Sequence, residues 1–256
     1  KVKGLMRLKE LGGTDLGFAT VIQDDNVHQL AELYQMSRKM GVELSTSALH
    51  NAFQFHKNDN IPYNRIKVAS EIQNLITEML KTYSVKNWFR AYLNLGLMEK
   101  VLGHARLIEC TAAKDFIFVD PWSDVYACNV RPDLKTGNLD QQSWEEVFHG
   151  SQADEIRKKV SLCTQNCWMV TTARTAMRNP HFTFLPKSGV LQWVIENRLR
   201  VLLGVDIPFE KYIDFDTIEK GIIAPERKSY LGVTEKRTIQ KKEINPYSRY
   251  GEFFNK

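Results

Sequence analysis

Cysteine is scarce in this chain and confined to one part of it. Four of the 256 residues are cysteine, at positions 110, 128, 163 and 167, and none stands before or after that stretch. No apolar run approaches the ~20 residues of a membrane helix, and Lys1-Val-Lys-Gly-Leu5 has no signal-peptide pattern. G-x-G-x-x-G, a phosphate loop and a serine-centred elbow are all missing, which leaves nucleotide-fold and hydrolase readings without support. The chain opens without methionine, inside a helical pattern, so residues upstream of Lys1 are expected to be missing. Neither sign of charge dominates: the net charge is +5, with 25% charged and 43% hydrophobic residues, ordinary for a globular protein. Basic residues are frequent after Arg227. A solvated basic tail is the plainer reading of them than a nucleic-acid surface, so neither nucleic acid nor a membrane is expected as a partner.

What is present is an alternation of elements. Leu5–Leu11 looks like a helix end, stopped by Gly12-Gly13. Phe18–Ile22 is a short apolar strand, and Asp24-Asp25-Asn26 can cap the helix that follows. Val27, Leu30, Ala31 and Tyr34 give that helix one apolar face, and it ends near Gly41. Val42–Ser47 is a second strand. Strand, helix and strand in this order imply two parallel strands with a crossover helix. Residues 51–64 read as a polar loop. Long helices then cover residues 65–83 and 85–102, and Arg106–Cys110 reads as a further strand.

The cysteines sit in a β-rich region. Phe116–Asp120 and Val125–Cys128 flank Pro121-Trp-Ser-Asp124, which predicts a hairpin in which Asp120 is a turn residue rather than a catalytic acid. Gly137-Asn-Leu139 reads as a turn. Ser143-Trp-Glu-Glu146 matches a capping box, and a helix over Ser151–Val160 runs into Cys163. Four thiols at strand ends and in one short loop suit a tetrathiolate metal site, and the absence of a secretory signal argues for a reducing compartment over disulfides. From spacing alone, iron–sulfur and zinc are both admissible, because each accepts four thiolates. The six histidines are scattered without metal-ligand spacing, and only His50, at a strand end, could reach a cavity there. A helix is expected over Val190–Leu203, ended by Gly204.

Cys110-x17-Cys128, with Phe116-Ile-Phe-Val-Asp120-Pro and Asp124-Val-Tyr-Ala-Cys128-Asn129 inside it, then Gly137-Asn-Leu139, Ser143-Trp-Glu-Glu-Val-Phe148, Ile156-Arg157 and Cys163-x3-Cys167-Trp168, resembles the auxiliary-cluster region, "twitch" or SPASM, of radical SAM enzymes. Those enzymes usually carry glycine in the hairpin turn, where this chain has Ser123. Phe18–Ser47 is similar to the fourth strand, fourth helix and fifth strand of their partial (β/α)6 barrel, and Arg106–Cys110 to the sixth strand. Their Cys-x3-Cys-x2-Cys motif is absent: Cys163-x3-Cys167 is followed by Val170, and it lies after the hairpin rather than at the first strand.

The resemblance implies an α/β fold: the C-terminal half of a partial (β/α)6 radical SAM barrel over residues 1–109, a β-hairpin plus helix auxiliary-cluster domain over 110–182, and a helical extension with a basic tail over 183–256. It implies that Cys110, Cys128, Cys163 and Cys167 ligate an auxiliary 4Fe-4S cluster. It implies S-adenosyl-L-methionine (SAM) and a second 4Fe-4S cluster for an enzyme that makes a 5′-deoxyadenosyl radical and abstracts hydrogen from a peptide or small-molecule substrate. An external flavodoxin- or ferredoxin-like electron donor and a cytoplasmic setting go with that activity. Thr20, Gln23, Ser45 and Ser47 lie in or after the two parallel strands, where α/β folds bind ligands. The resemblance implies SAM contacts there, and strand-end capping is the plainer alternative. The other reading of the chain is a non-enzymatic binding module stabilised by zinc on the same four cysteines.

Overall fold

The structure, a computed structural model, describes residues 1–49, 62, 64–184 and 189–213. Helix α1 (Val2–Glu10) has no buried residue and is tied down at its end, where Lys9 donates to Met40 O at 2.6 Å. Gly12 follows with φ +87°, the left-handed geometry that stops the helix.

The strand–helix–strand expectation holds. Strands β1 (Gly17–Ile22) and β2 (Glu43–Ala48) pair in parallel, with Phe18 beside Leu44 and Thr20 beside Thr46. Between them a short 3-10 turn (Val27–Gln29) leads into α2 (Leu30–Met40), which ends on Gly41 at φ +62°. Asn26 does not cap this helix with its side chain. Its amide instead donates to Val21 O and accepts from Gln23 N, tying the turn back onto β1. The sheet buries one face: Ile22, Leu44, Thr46 and Ala48 are buried, whereas Ala19 and Val21 are exposed and Ser45 and Ser47 half-buried.

The buried face packs on two long helices, α3 (Arg65–Leu80) and α4 (Val85–Leu102). Asn64 Oδ1 caps α3 by accepting from Lys67 N at 3.0 Å. Every residue of α4 from Ala91 to Leu102 is buried, including Asn94, Glu99 and Lys100. Each of these polar groups has a partner: Asn94 accepts from Thr46 Oγ1 at 2.8 Å, Glu99 pairs with His104 and Lys100 donates to Asn166 O.

Arg106–Cys110 is not a strand, which corrects the expected sixth strand. The Arg106 side chain bonds Ile108 O at 3.2 Å and Cys167 O, so this segment is held by a guanidinium and not by a ladder. Among the described residues the parallel sheet therefore has two strands, β1 and β2.

Residues 110–169 carry a second sheet. Strands β3 (Phe118–Val119), β4 (Asp124–Tyr126) and β5 (Lys135–Asn138) run antiparallel in that order. Gly137 is thus a strand residue, not part of a turn. A Cβ there would stand 2.5 Å from Gln142 Oε1 and 2.8 Å from Val147, so glycine serves close packing of the next helix on the strand. That helix, α5 (Trp144–His149), has its capping box: Ser143 Oγ accepts from Glu146 N while Glu146 accepts from Ser143 N. Helix α6 (Ser151–Ser161) follows and delivers Cys163.

After the cysteine loop come α7 (Val170–Arg178), α8 (Pro180–Thr183) and α9 (Val190–Leu202), the last where the periodicity put it. The sequence reading assigned no helix at α7. One core joins Ile22, Leu44, Ile72 and Leu97 to Trp168, Ala173, Val194 and Ile207, so it draws on all three sequence regions. His50, most of the loop over 51–64 and the basic tail lie outside the described residues.

Trp168 makes the closest junction. Its indole Nε1 donates to Leu93 O at 2.8 Å, and the ring lies over Gly96, where a Cβ would stand 2.0 Å away. A Gly96→Ala variant should lose about 3 kcal/mol, the upper end of overpacking costs, and show a lower urea midpoint with an unchanged slope. A wild-type midpoint would mean that the indole does not sit there.

Candidate metal centre

All four cysteines are half-buried free thiols. Cys110 enters a tight loop in which Thr111 O accepts from Lys114 N and Asp115 N. Ala113, at φ +61°, is held there by Arg157 of α6, whose Nε donates to Ala113 O at 2.9 Å. Cys128 follows β4. Cys163 leaves α6 with its N–H on Val160 O, and Cys167 precedes the docked Trp168.

The hairpin turn positions Cys128. Asp120 is a turn residue, as read: its Oδ1 accepts from Trp122 N at 2.9 Å and Asp124 N at 3.0 Å. Ser123 has φ +62°, so the position where glycine was expected does adopt the left-handed conformation.

Cys110, Cys128 and Cys167 lie close enough for their charges to interact. Burial pushes the Cys128 thiol up to about 12; backbone N–H groups of Val130 and Arg131 oppose this, and Cys167 and Cys110 add to it. Cys110 and Cys128 pack on one small apolar cluster that includes Ala112, Ala127 and Leu134. Two arginines serve the remaining pair. Arg106 Nη1 lies 3.5 Å from Cys167 Sγ, and its guanidinium lies over the Trp168 ring at 5.3 Å. Arg131 Nη1 lies 3.8 Å from Cys163 Sγ. Asp133, on the same guanidinium, holds the Arg131 pKa above its ordinary value, so its charge is permanent.

Among the described residues no three Asp, Glu, His or Cys side chains are placed to hold a metal ion. The donors suit an anionic group: Arg106 Nη2 and Thr111 Oγ1, beside Cys167 and Cys110, are buried without a hydrogen-bond partner.

The four residues expected near SAM do not share one surface. Ser45 and Ser47 point to the less covered face of the sheet, opposite Ala19 and Val21, while Thr20 pairs with Thr46 on the core side. Gln23 follows β1, where its carbonyl accepts from Val27 N. Arg106 and Arg131 were not singled out from the sequence, although a basic residue near a clustered cysteine is a readable sign of an electropositive thiol site.

Compared with known families, residues 110–168 match the model for SPASM, described as an iron–sulfur cluster-binding domain. No curated protein and no solved structure matches the chain.

At the turn, Ser123→Gly should raise stability by up to about 1 kcal/mol, because a left-handed residue with a Cβ is strained. Thermal unfolding checks this, and a fall in the midpoint would contradict the strained turn.

Proposed function

We propose that this chain is the auxiliary-cluster part of a radical SAM enzyme, from the premise that residues 110–168 match the SPASM iron–sulfur cluster-binding domain. The match spanning all four cysteines carries the proposal. Cys110, Cys128, Cys163 and Cys167 would hold an auxiliary 4Fe-4S group as thiolates. When bound, that group supplies a one-electron acceptor or an anchor for substrate.

The surrounding residues have definable roles. Arg106 and Arg131 place cationic donors on the Cys167 and Cys163 sulfurs and offset thiolate charge. The Val130 and Arg131 N–H groups do the same at Cys128. Ala112, Ala127 and Leu134 keep water from one side. Ser45 and Ser47, with Gln23, are the proposed contacts for SAM; Thr20, on the core face, is left out of that role. The chain's four cysteines are used at the auxiliary site, so the second 4Fe-4S cluster needs ligands from elsewhere. The substrate is a peptide or small molecule, and the proposed setting is a reducing cytoplasm with a flavodoxin- or ferredoxin-like donor. Among the described residues no helix is long and apolar enough to cross a membrane.

Anaerobically purified protein should be brown, absorb near ~400 nm and contain about four iron and four sulfide per chain. Each single Cys→Ala variant should lose most of that iron. A colourless protein with one zinc would replace this reading with the zinc-stabilised module.

Arg131→Gln should leave the iron content intact and lower the cluster midpoint potential by an amount on the order of tens of millivolts, because hydrogen bonds and charge at the sulfurs set that potential. Redox titration followed by electron paramagnetic resonance reads it. An unchanged potential would restrict Arg131 to a structural part.

A further inference from the structure

Two buried donors at the cysteine site have no acceptor among the described residues. Thr111 Oγ1 and Arg106 Nη2 are both buried, and neither has a hydrogen-bond partner. Thr111 is 5% exposed, so bulk water does not serve its hydroxyl. Leaving a buried donor unpaired is costly, and in a native structure a ligand or an ordered water usually completes the bond.

The bonds around each donor are already allotted. Thr111 follows Cys110 directly, and its backbone carbonyl closes the loop by accepting from Lys114 N and Asp115 N. The hydroxyl takes no part in that closure. Arg106 uses its other nitrogens: Nε donates to Ile108 O, and Nη1 lies on Cys167 O and Cys167 Sγ. The guanidinium is a rigid plane, and this one lies over the Trp168 ring. Nη2 therefore cannot turn to a new partner without giving up those contacts.

Arg131, the second arginine of the site, is the contrast. Asp133 takes its Nε and Nη2, and Nη1 lies on Cys163 Sγ, so no nitrogen is spare. Asp133 also offsets its charge, whereas Arg106 forms no ion pair among the described residues. Spare donors and uncompensated positive charge thus meet beside Cys110 and Cys167. Both of those thiols are close enough to Cys128 for their charges to interact, so the two donors serve one group of sulfurs.

We propose that Arg106 Nη2 and Thr111 Oγ1 donate to inorganic sulfides of the 4Fe-4S group, holding its Cys110 and Cys167 edge and favouring its reduced state. This rests on the iron–sulfur reading of the four cysteines. An inorganic sulfide is an anionic acceptor with no proton of its own, which is what two buried donors lack. Zinc on the same thiols would bring no such sulfide. Reduction adds one electron, supplied by the flavodoxin- or ferredoxin-like donor, and no bond to iron forms or breaks. The added charge strengthens hydrogen bonds to sulfur in the reduced state, which raises the potential.

The test uses the full chain, purified anaerobically and assayed first for iron and sulfide. Thr111→Val removes the hydroxyl and keeps the branched shape, and Thr111→Ser keeps the hydroxyl. Thr111→Val should retain its iron, and at a fixed poise its reduced-to-oxidised ratio should fall about threefold or more. Electron–nuclear double resonance of the reduced wild type should show a proton coupling that vanishes in deuterium oxide and is missing from Thr111→Val. Thr111→Ser should restore both the ratio and the coupling. Arg106→Lys, which keeps the charge but not the fork, should lose a second exchangeable coupling. Loss of iron from Thr111→Val but not from Thr111→Ser would support the proposal as well, because only the hydroxyl distinguishes them in that direction. The proposal is overturned, with the iron–sulfur reading intact, if Thr111→Val matches the wild type in ratio and coupling, as it would if an ordered water took the donors. It is overturned equally if Thr111→Ser behaves like Thr111→Val. Absence of iron and sulfide from the wild type would overturn the iron–sulfur reading itself, and this proposal with it.

Discussion

The position of the cysteine loop depends on one contact, the Trp168 indole laid over Gly96. Helix α4 is buried all round for three turns, so whatever crosses it must do so without a cavity and without an unsatisfied polar group. Gly96 provides the depth, Leu93 O takes the indole proton, and Lys100 and Asn166 exchange side-chain to backbone bonds, at 3.2 and 3.3 Å, one turn further along. Cys167 is thereby anchored to the core of the parallel sheet, although it is a member of the cysteine group.

That anchoring couples two otherwise separate regions. The antiparallel sheet brings Cys128, and α6 brings Cys163, through contacts local to residues 110–163. Cys167 and Arg106 bring the side of the site that belongs to the main core. A tetrathiolate group here would close a long loop across both, so metal binding and the docking of the second sheet are thermodynamically linked. The same helix that follows Trp168 carries Arg174 and Arg178 to a cavity of about 360 Å³ beside β2.

Charge is handled differently at the cysteines and at that cavity. Around the cysteines, Arg106 and Arg131 lie against sulfur in half-buried positions, where opposite charges interact strongly and water screens little. At the cavity Lys86 and Arg90 pair with Glu43, and Arg174 and Arg178 form no ion pair among the described residues.

Much of the local structure was legible from residue order. The parallel strand pair, Gly41, the Ser143 capping box, the Asp120 turn and the four-cysteine pattern follow from short-range rules: periodicity, the left-handed freedom of glycine, and side chains that reach their own backbone. Ser123 stands where the resemblance put a glycine, and only the structure shows that it takes the left-handed conformation. What only the tertiary structure decided are the long-range matters. Arg106–Cys110 has strand-like residues yet is a loop, in which the Arg106 guanidinium, and not a neighbouring strand, bonds Ile108 O. Gly137 reads as a turn yet lies in β5, because Gln142 and Val147 need the space of its missing side chain. The roles of Gly96, Arg106 and Arg131 depend on partners more than thirty residues away, Thr20 and Ser45 are divided by the two faces of a sheet, and no local pattern records either kind of neighbour.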